Sequence, residues 1–209
     1  MSEPDAALTI ALAEYAQLND GRRAVSEQSH ARFNFFLIIA SASAAVAAGV
    51  TGTGRVPGWA VAAVGGVVLL LGVGAFARQV EFTVRYRRAA VAETAIRTYL
   101  VRRAPDLAPF VLMPTLDDDG PFGAAPLRRR WLRDAVGLAG TVGLLNGALV
   151  GFGAGFAVAG FAPSWAGAAA GLTVAAGAVT AHVAYVRRRL ADTATQVEGA
   201  LAGRSLPAR

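Results

Sequence analysis

The chain has no cysteine, no lysine and only two histidines in 209 residues. Without cysteine there is no disulfide, no thiolate nucleophile and no cysteine-based metal site. His30 and His182 lie far apart and outside any His-rich motif, so neither a catalytic metal nor another cofactor is expected. Also missing are a glycine-rich phosphate loop with its lysine, a nucleophile elbow, and the paired histidines with glutamate of zinc proteases. These absences argue against an enzyme. The first thirty residues carry Glu3, Asp5, Glu14, Asp20 and Glu27 and no short apolar core before a small-residue cleavage site. No signal peptide is expected there, and the first apolar run should serve as its own insertion signal.

Charge is missing from four long stretches. They are Phe33 to Val50, Pro57 to Ala77, Ala135 to Ala162 and Pro163 to Val186. Each reaches the roughly 18 residues a helix needs to cross about 30 Å of hydrocarbon. With 55% hydrophobic residues the chain lies outside the range of ordinary soluble domains. The expected fold is an all-α membrane protein with four transmembrane helices in two antiparallel hairpins, because the connections inside each pair are short. Pro57 and Pro163 both stand at helix starts, and each is followed two residues later by Trp-Ala (Trp59-Ala60, Trp165-Ala166). That shared start fits a duplicated hairpin, and equally the liking of Trp for the membrane interface.

The chain then divides into residues 1–32 as a cytoplasmic N-terminal helix, 33–77 as the first hairpin, 78–104 as a cytoplasmic helix extending the second span, 105–133 as a Pro-rich basic linker, 134–186 as the second hairpin, and 187–209 as a basic tail. Leu8, Leu12, Tyr15, Leu18 and Val25 recur at helical spacing in the first segment, with Gly21 leaving room for a bend before Arg22. Phe82, Tyr86, Ala89, Ile96 and Leu100 form an apolar stripe interrupted by Glu93. Such a stripe needs a cover, and the acidic N-terminal helix is the expected one, by charge as well as hydrophobicity. Asp117, Asp118 and Asp119 are consecutive and lack the alternate spacing and distal Glu of a calcium loop, so a solvated turn is expected.

All twenty basic residues are arginine. A GC-rich coding bias is the plain account, and anion or phosphate recognition by the planar guanidinium is the functional one. Their placement is informative. The two hairpin loops hold only Arg55, whereas Arg22, Arg23 and Arg32, the central segment and the tail hold the rest. The positive-inside rule therefore predicts a multi-pass protein of the plasma membrane with both termini in the cytoplasm. The triplets at 128–130 and 187–189 suit topology and attraction to anionic lipid heads.

Within the third run Gly143, Gly147, Gly151, Gly155 and Ala159 recur every fourth residue, the spacing of close helix contact, within one subunit or between subunits; pore lining is the functional variant. Ala40, Ala44 and Ala48 repeat it more weakly in the first run. The polar residues inside the runs are Asn34, Ser41, Ser43, Thr141, Asn146, Thr173 and Thr180, with His182 near the end of the fourth beside Tyr185. No acid or base lies at mid-membrane depth, which argues against proton-coupled transport. Asn146, beside a stripe glycine, is expected to make an interhelical hydrogen bond. No span carries spaced arginines to sense voltage. Control should then come from the cytoplasm, where Arg85, Arg87, Arg88, Arg102 and Arg103 offer a two-pronged grip for a phosphate-rich ligand. Gathering several subunits around one axis would multiply that field.

The leading segment Tyr15-Ala-Gln-Leu-Asn-Asp-Gly-Arg-Arg23 and the entry Arg32-Phe-Asn-Phe-Phe-Leu37, followed by a hairpin and a long charged helix, resemble the SLATT-type membrane proteins of bacteria. The likeness covers residues 10–104. The arrangement is also similar to the four-span membrane effector of Hailong-type defence systems. The second hairpin departs from a plain two-span pattern. The resemblance implies a homo-oligomeric channel or pore-former, a tetramer by expectation, in antiphage defence. Its ligand would be a nucleotide or oligonucleotide made by a partner nucleotidyltransferase. The alternative is a non-catalytic membrane anchor or accessory subunit of a larger complex.

Overall fold

A computed structural model describes residues 3–51, 58–113, 115–117 and 137–202, without the side chains at 3–5, 46–48, 50, 51, 107 and 202. Four long helices make up the fold: α1 (Glu3–Thr51), α2 (Gly58–Arg103), α3 (Leu138–Ala159) and α4 (Ser164–Ala202), with a short 3-10 helix at Pro105–Phe110. Proline sets several of the ends. None occurs within α2, and Pro105 follows its end almost at once. α3 ends at Ala159, three residues earlier than the apolar run. There Gly160 N–H bonds to Ala157 O and Ala162 N–H to Val158 O. Pro163 then precedes α4, its carbonyl accepting from Ala166 N–H at 2.9 Å. α1 is one continuous helix through Gly21.

Three helices among the described residues, not four, are long and apolar enough to cross a membrane: α2, α3 and α4. The stretch Phe33 to Val50 of α1 is the missing one. It carries no charge, and four of its last five side chains (46–48 and 50) lie outside the description. Pro57, Arg55, most of the linker with Asp118, Asp119 and Arg128 to Arg133, and the end of the tail also lie outside the described residues.

The chain divides into two compact units. One draws on Ser29–Glu81 and Leu132–Arg187, the other on Met1–Gln28, Phe82–Trp131 and Arg188–Arg209.

The first of these units has its large apolar side chains on the outside. Phe35, Ile38, Leu70, Phe152, Phe156 and Leu172 are all exposed. Only 6% to 28% of the residues in the most apolar windows of α2, α3 and α4 are buried. That is the reverse of a water-soluble core and the arrangement a hydrocarbon solvent favours. Inside are Phe36, Val68, Phe76, Val80, Ala139 and Val142, together with the polar Ser29, Gln79 and Asn146. Ser29 and Gln79 join α1 to α2 reciprocally: Ser29 Oγ donates to Gln79 Oε1 at 2.6 Å, and Gln79 Nε2 donates to the Ser29 carbonyl at 2.8 Å.

In the other unit α1 packs along α2, with the end of α4 beside them. Arg22 Nη1 of α1 donates to Glu93 Oε2 of α2 at 2.8 Å, its guanidinium lying 5.3 Å from the Tyr86 ring centre. Arg97 Nη2 reaches Tyr15 Oη at 3.5 Å, and Arg88 Nη2 donates to Gln196 Oε1 of α4 at 2.7 Å. The N-terminal helix thus lies along α2, with Phe82 of the stripe buried and Tyr86 left exposed, and the sign of the central pair is opposite to the expectation. The basic partner comes from α1 and the buried acid from α2.

Candidate ligand cavity and buried polar site

Two places stand out, one in each unit. In the charged unit a cavity of about 450 Å³ is lined by Glu14, Gln17, Leu18, Gly21, Arg22 and Val25 of α1 with Arg85, Tyr86 and Ala89 of α2. Helical spacing explains the lining, because residues four apart face the same neighbour. Gly21 contributes by absence: a Cβ there would meet nothing within 4 Å, so the wall is open where any larger side chain would intrude. Two guanidinium groups, a carboxylate, a carboxamide and a phenol therefore converge on one concavity. Arg22 is bonded to Glu93 and Arg85 too has partners of its own, so an anion there would share guanidinium N–H groups with them.

Of the five arginines expected to hold phosphate, only Arg85 lines this cavity. Arg88 is directed to Gln196. Arg102 is held from two sides by Asp117, through Nε to Oδ2 at 2.9 Å and through Nη2 to Oδ1. That bonded carboxylate raises the Arg102 pKa above its ordinary value, so its charge is fixed at every accessible pH. Arg102 and Arg103 also stand about 25 Å along α2 from Arg85, at 1.5 Å per residue. Arg87 has partners of its own and does not line the cavity. The five do not form one site. Arg22 is the arginine the sequence reading left out, although its place on the predicted covering face of α1 was a usable signal.

Asp117 belongs to the acidic triplet, and its role is to pin the linker. Leu116 N–H also donates to Thr98 Oγ1 at 2.8 Å, so residues 115–117 lie back against the last turns of α2. Thr98 is fully buried, and Thr94 and Thr98 return their hydroxyls to the carbonyls four residues earlier.

In the apolar unit the glycine stripe faces α4 throughout. A Cβ at Gly143 would come within 3.0 Å of His182 Cβ, at Gly147 within 2.6 Å of Val179 Cγ2, at Gly151 within 2.5 Å of Gly171 O, and at Gly155 within 2.9 Å of Gly167 O. The contact is mutual, since a Cβ at Gly167 would lie 2.9 Å from Ala159 Cβ. The stripe is thus the seam of the chain's own second hairpin. Gly167, Gly171 and Ala175 form the matching stripe on α4, readable by the same four-residue rule. At the end of this seam His182 meets Phe76 edge-on at 4.4 Å and bonds Ala178 O through Nδ1.

Asn146 departs from the rest. It lies on α3 next to the stripe, is 0% exposed, and faces α2 and α1. A Cβ added at Gly72 would overlap its Oδ1 outright and approach the Phe36 ring at 3.1 Å. The interhelical hydrogen bond expected of Asn146 is not made: neither Oδ1 nor Nδ2 has a partner among the described residues. No protein-family model, curated protein or solved structure matches the chain, and its reading rests on this geometry.

Proposed function

We propose that the chain is a four-crossing membrane protein acting as a homo-oligomeric channel or pore-forming effector. A phosphate-rich ligand, a nucleotide or short oligonucleotide, would control it from the cytoplasmic side. One observation carries this reading: the fold sorts into an apolar-surfaced unit and a charged unit whose cavity sets Arg22 and Arg85 beside Tyr86, Gln17 and Glu14.

The pairings also support the number of crossings. Arg22 and Glu93 are bonded, so the chain between them leaves and returns to one side. Arg88 and Gln196 make the same demand of the second hairpin. On this reading each half crosses an even number of times, with Phe33 to Val50 of α1 as the fourth crossing. The arginine asymmetry puts that shared side in the cytoplasm. At mid-depth of the apolar runs the sequence places no acid or base to couple transport to protons, His182 lying near the end of the fourth, which favours a passive path. The resemblance to SLATT-type and Hailong-type proteins adds antiphage defence and a ligand supplied by a partner nucleotidyltransferase.

The test uses purified protein in nanodiscs of neutral lipid, so that anionic headgroups do not compete. Oligonucleotide binding should weaken as salt rises. Arg85→Glu should cut affinity by about tenfold or more, while Arg88→Glu leaves it nearly unchanged. Ion flux from liposomes should change on adding the oligonucleotide. Affinity unaltered in Arg85→Glu would leave only lipid contact for these arginines, and absence of flux under all conditions would favour the anchor or accessory role.

A further inference from the structure

Among the described residues, the interior of the apolar unit holds one polar side chain that the fold does not satisfy. Leaving a buried amide without partners costs about 1–3 kcal/mol for each group so stranded. An apolar residue would fill the same space at no such cost. In the same interior Ser29 and Gln79 are fully paired, so this fold does satisfy polar groups where they serve only to join helices. Asn146 is treated differently. It lies about 12 Å into α3, well away from either end. The surface it meets on α2 is bare backbone at Gly72, where an added Cβ would overlap Asn146 Oδ1. The buried Phe36 ring lies against the same Gly72 position, and Val142, one turn earlier on α3, is fully buried.

We propose that Asn146 is a binding position for water and small hydrated ions, sealed in this conformation and opened when α2 parts from α3 at the Gly72 contact. The inference rests on the channel reading and deepens it, because it names where the path opens. The amide offers a carbonyl oxygen for a cation and an NH2 for an anion or water, and it carries no net charge to trap either. Phe36 and Val142 make the closed form dry. Separation by little more than the width of a water molecule would give both amide atoms the partners they lack, so the closed and open forms are brought near in energy. Such balance is what a ligand needs in order to shift the population.

The chain has no cysteine, so single cysteines can be placed without background. Asn146→Cys in nanodiscs should react with a charged, water-soluble methanethiosulfonate at least about tenfold faster than Leu172→Cys, which is exposed on an apolar helix face. Glu198→Cys, on the exposed end of α4, gives the aqueous reference. Asn146→Leu should raise Tm by about 2–4 °C and lose flux. Gly72→Ala should raise flux without ligand, and Gly72→Ala with Asn146→Gly should return it toward wild type, because the second change removes the overlap. An Asn146→Cys thiol as inert as that of Leu172→Cys, or an Asn146→Leu protein less stable than wild type, would overturn the inference, since the amide would then have a purely structural role. Reaction of Asn146→Cys in a protein carrying no ions would uphold water entry and overturn the channel reading instead.

Discussion

At the scale of single residues the charged unit hinges on Glu93. Its carboxylate is 3% exposed, one oxygen bonded to Arg22 and the other without a partner among the described residues. Removing Arg22 would strand a buried charge, whereas the neighbouring Arg23 has no such dependant. Arg22→Ala should therefore cost roughly 2 kcal/mol, below the figure for a fully buried pair because Arg22 is partly exposed. Hydrogen exchange should show faster opening of residues 82–100, and Glu93→Gln in that background should recover part of the loss. Equal protection in Arg22→Ala and Arg23→Ala would show that the pair holds nothing. Residue pairings of this kind were the least legible part of the sequence. Charge composition pointed to an acidic α1 covering a basic α2, yet a single inward position decides the sign, and composition does not report which residues point inward. Asn146 was legible as unusual and misjudged in kind. Its proximity to the glycine stripe was plain, but the helix it faces is α2, not the partner across that stripe.

At the scale of helices periodicity was a better guide. The absence of a breaker between Ala77 and Pro105 foretold that α2 would continue to Arg103, and it does. Gly21 does not interrupt α1, because its intrinsic cost of about 1 kcal/mol is small beside the packing of α1 along α2. The four-residue rule found the α3 stripe but not its destination, which needed the reciprocal stripe at Gly167, Gly171 and Ala175. That destination changes what substitution should do. Gly151→Ala puts a methyl group 2.5 Å from Gly171 O and 2.6 Å from Ala175 Cβ, so the hairpin must spread, at about 1–3 kcal/mol. Gly153, two positions along the same helix, is exposed and has nothing within 4 Å. Gly153→Ala should be neutral or slightly stabilising. The contrast should appear as a lower unfolding temperature in detergent for Gly151→Ala alone, with the oligomeric state unchanged in both. A variant at Gly151 that kept its stability but lost its assembly would place the stripe between copies rather than within the hairpin.

For the whole molecule the sequence made plain that the chain is helical and apolar enough for a membrane, while the proposed fourth crossing is argued from parity, since three helices among the described residues are long and apolar enough to cross. If only α2, α3 and α4 cross, the N-terminus lies opposite the linker, since α2 alone separates them. If Phe33 to Val50 also crosses, the N-terminus, the linker and the C-terminus share one side. The bond between Arg22 and Glu93 favours the second arrangement, the one proposed above, because a guanidinium cannot reach a carboxylate through about 30 Å of hydrocarbon. The arginines then choose which side that is. Reporter fusions at residue 1, near Thr115 and at residue 209 should all read cytoplasmic, and a label at Arg55 should be reached from outside the membrane. The fusion at residue 1 is the discriminating one. A periplasmic reading there, with the other two cytoplasmic, would reduce the crossings to three and dissolve the cavity, because Arg22 and Arg85 would stand on opposite faces. A periplasmic reading near Thr115 would reverse the assignment altogether and take the basic segments away from any cytoplasmic nucleotide.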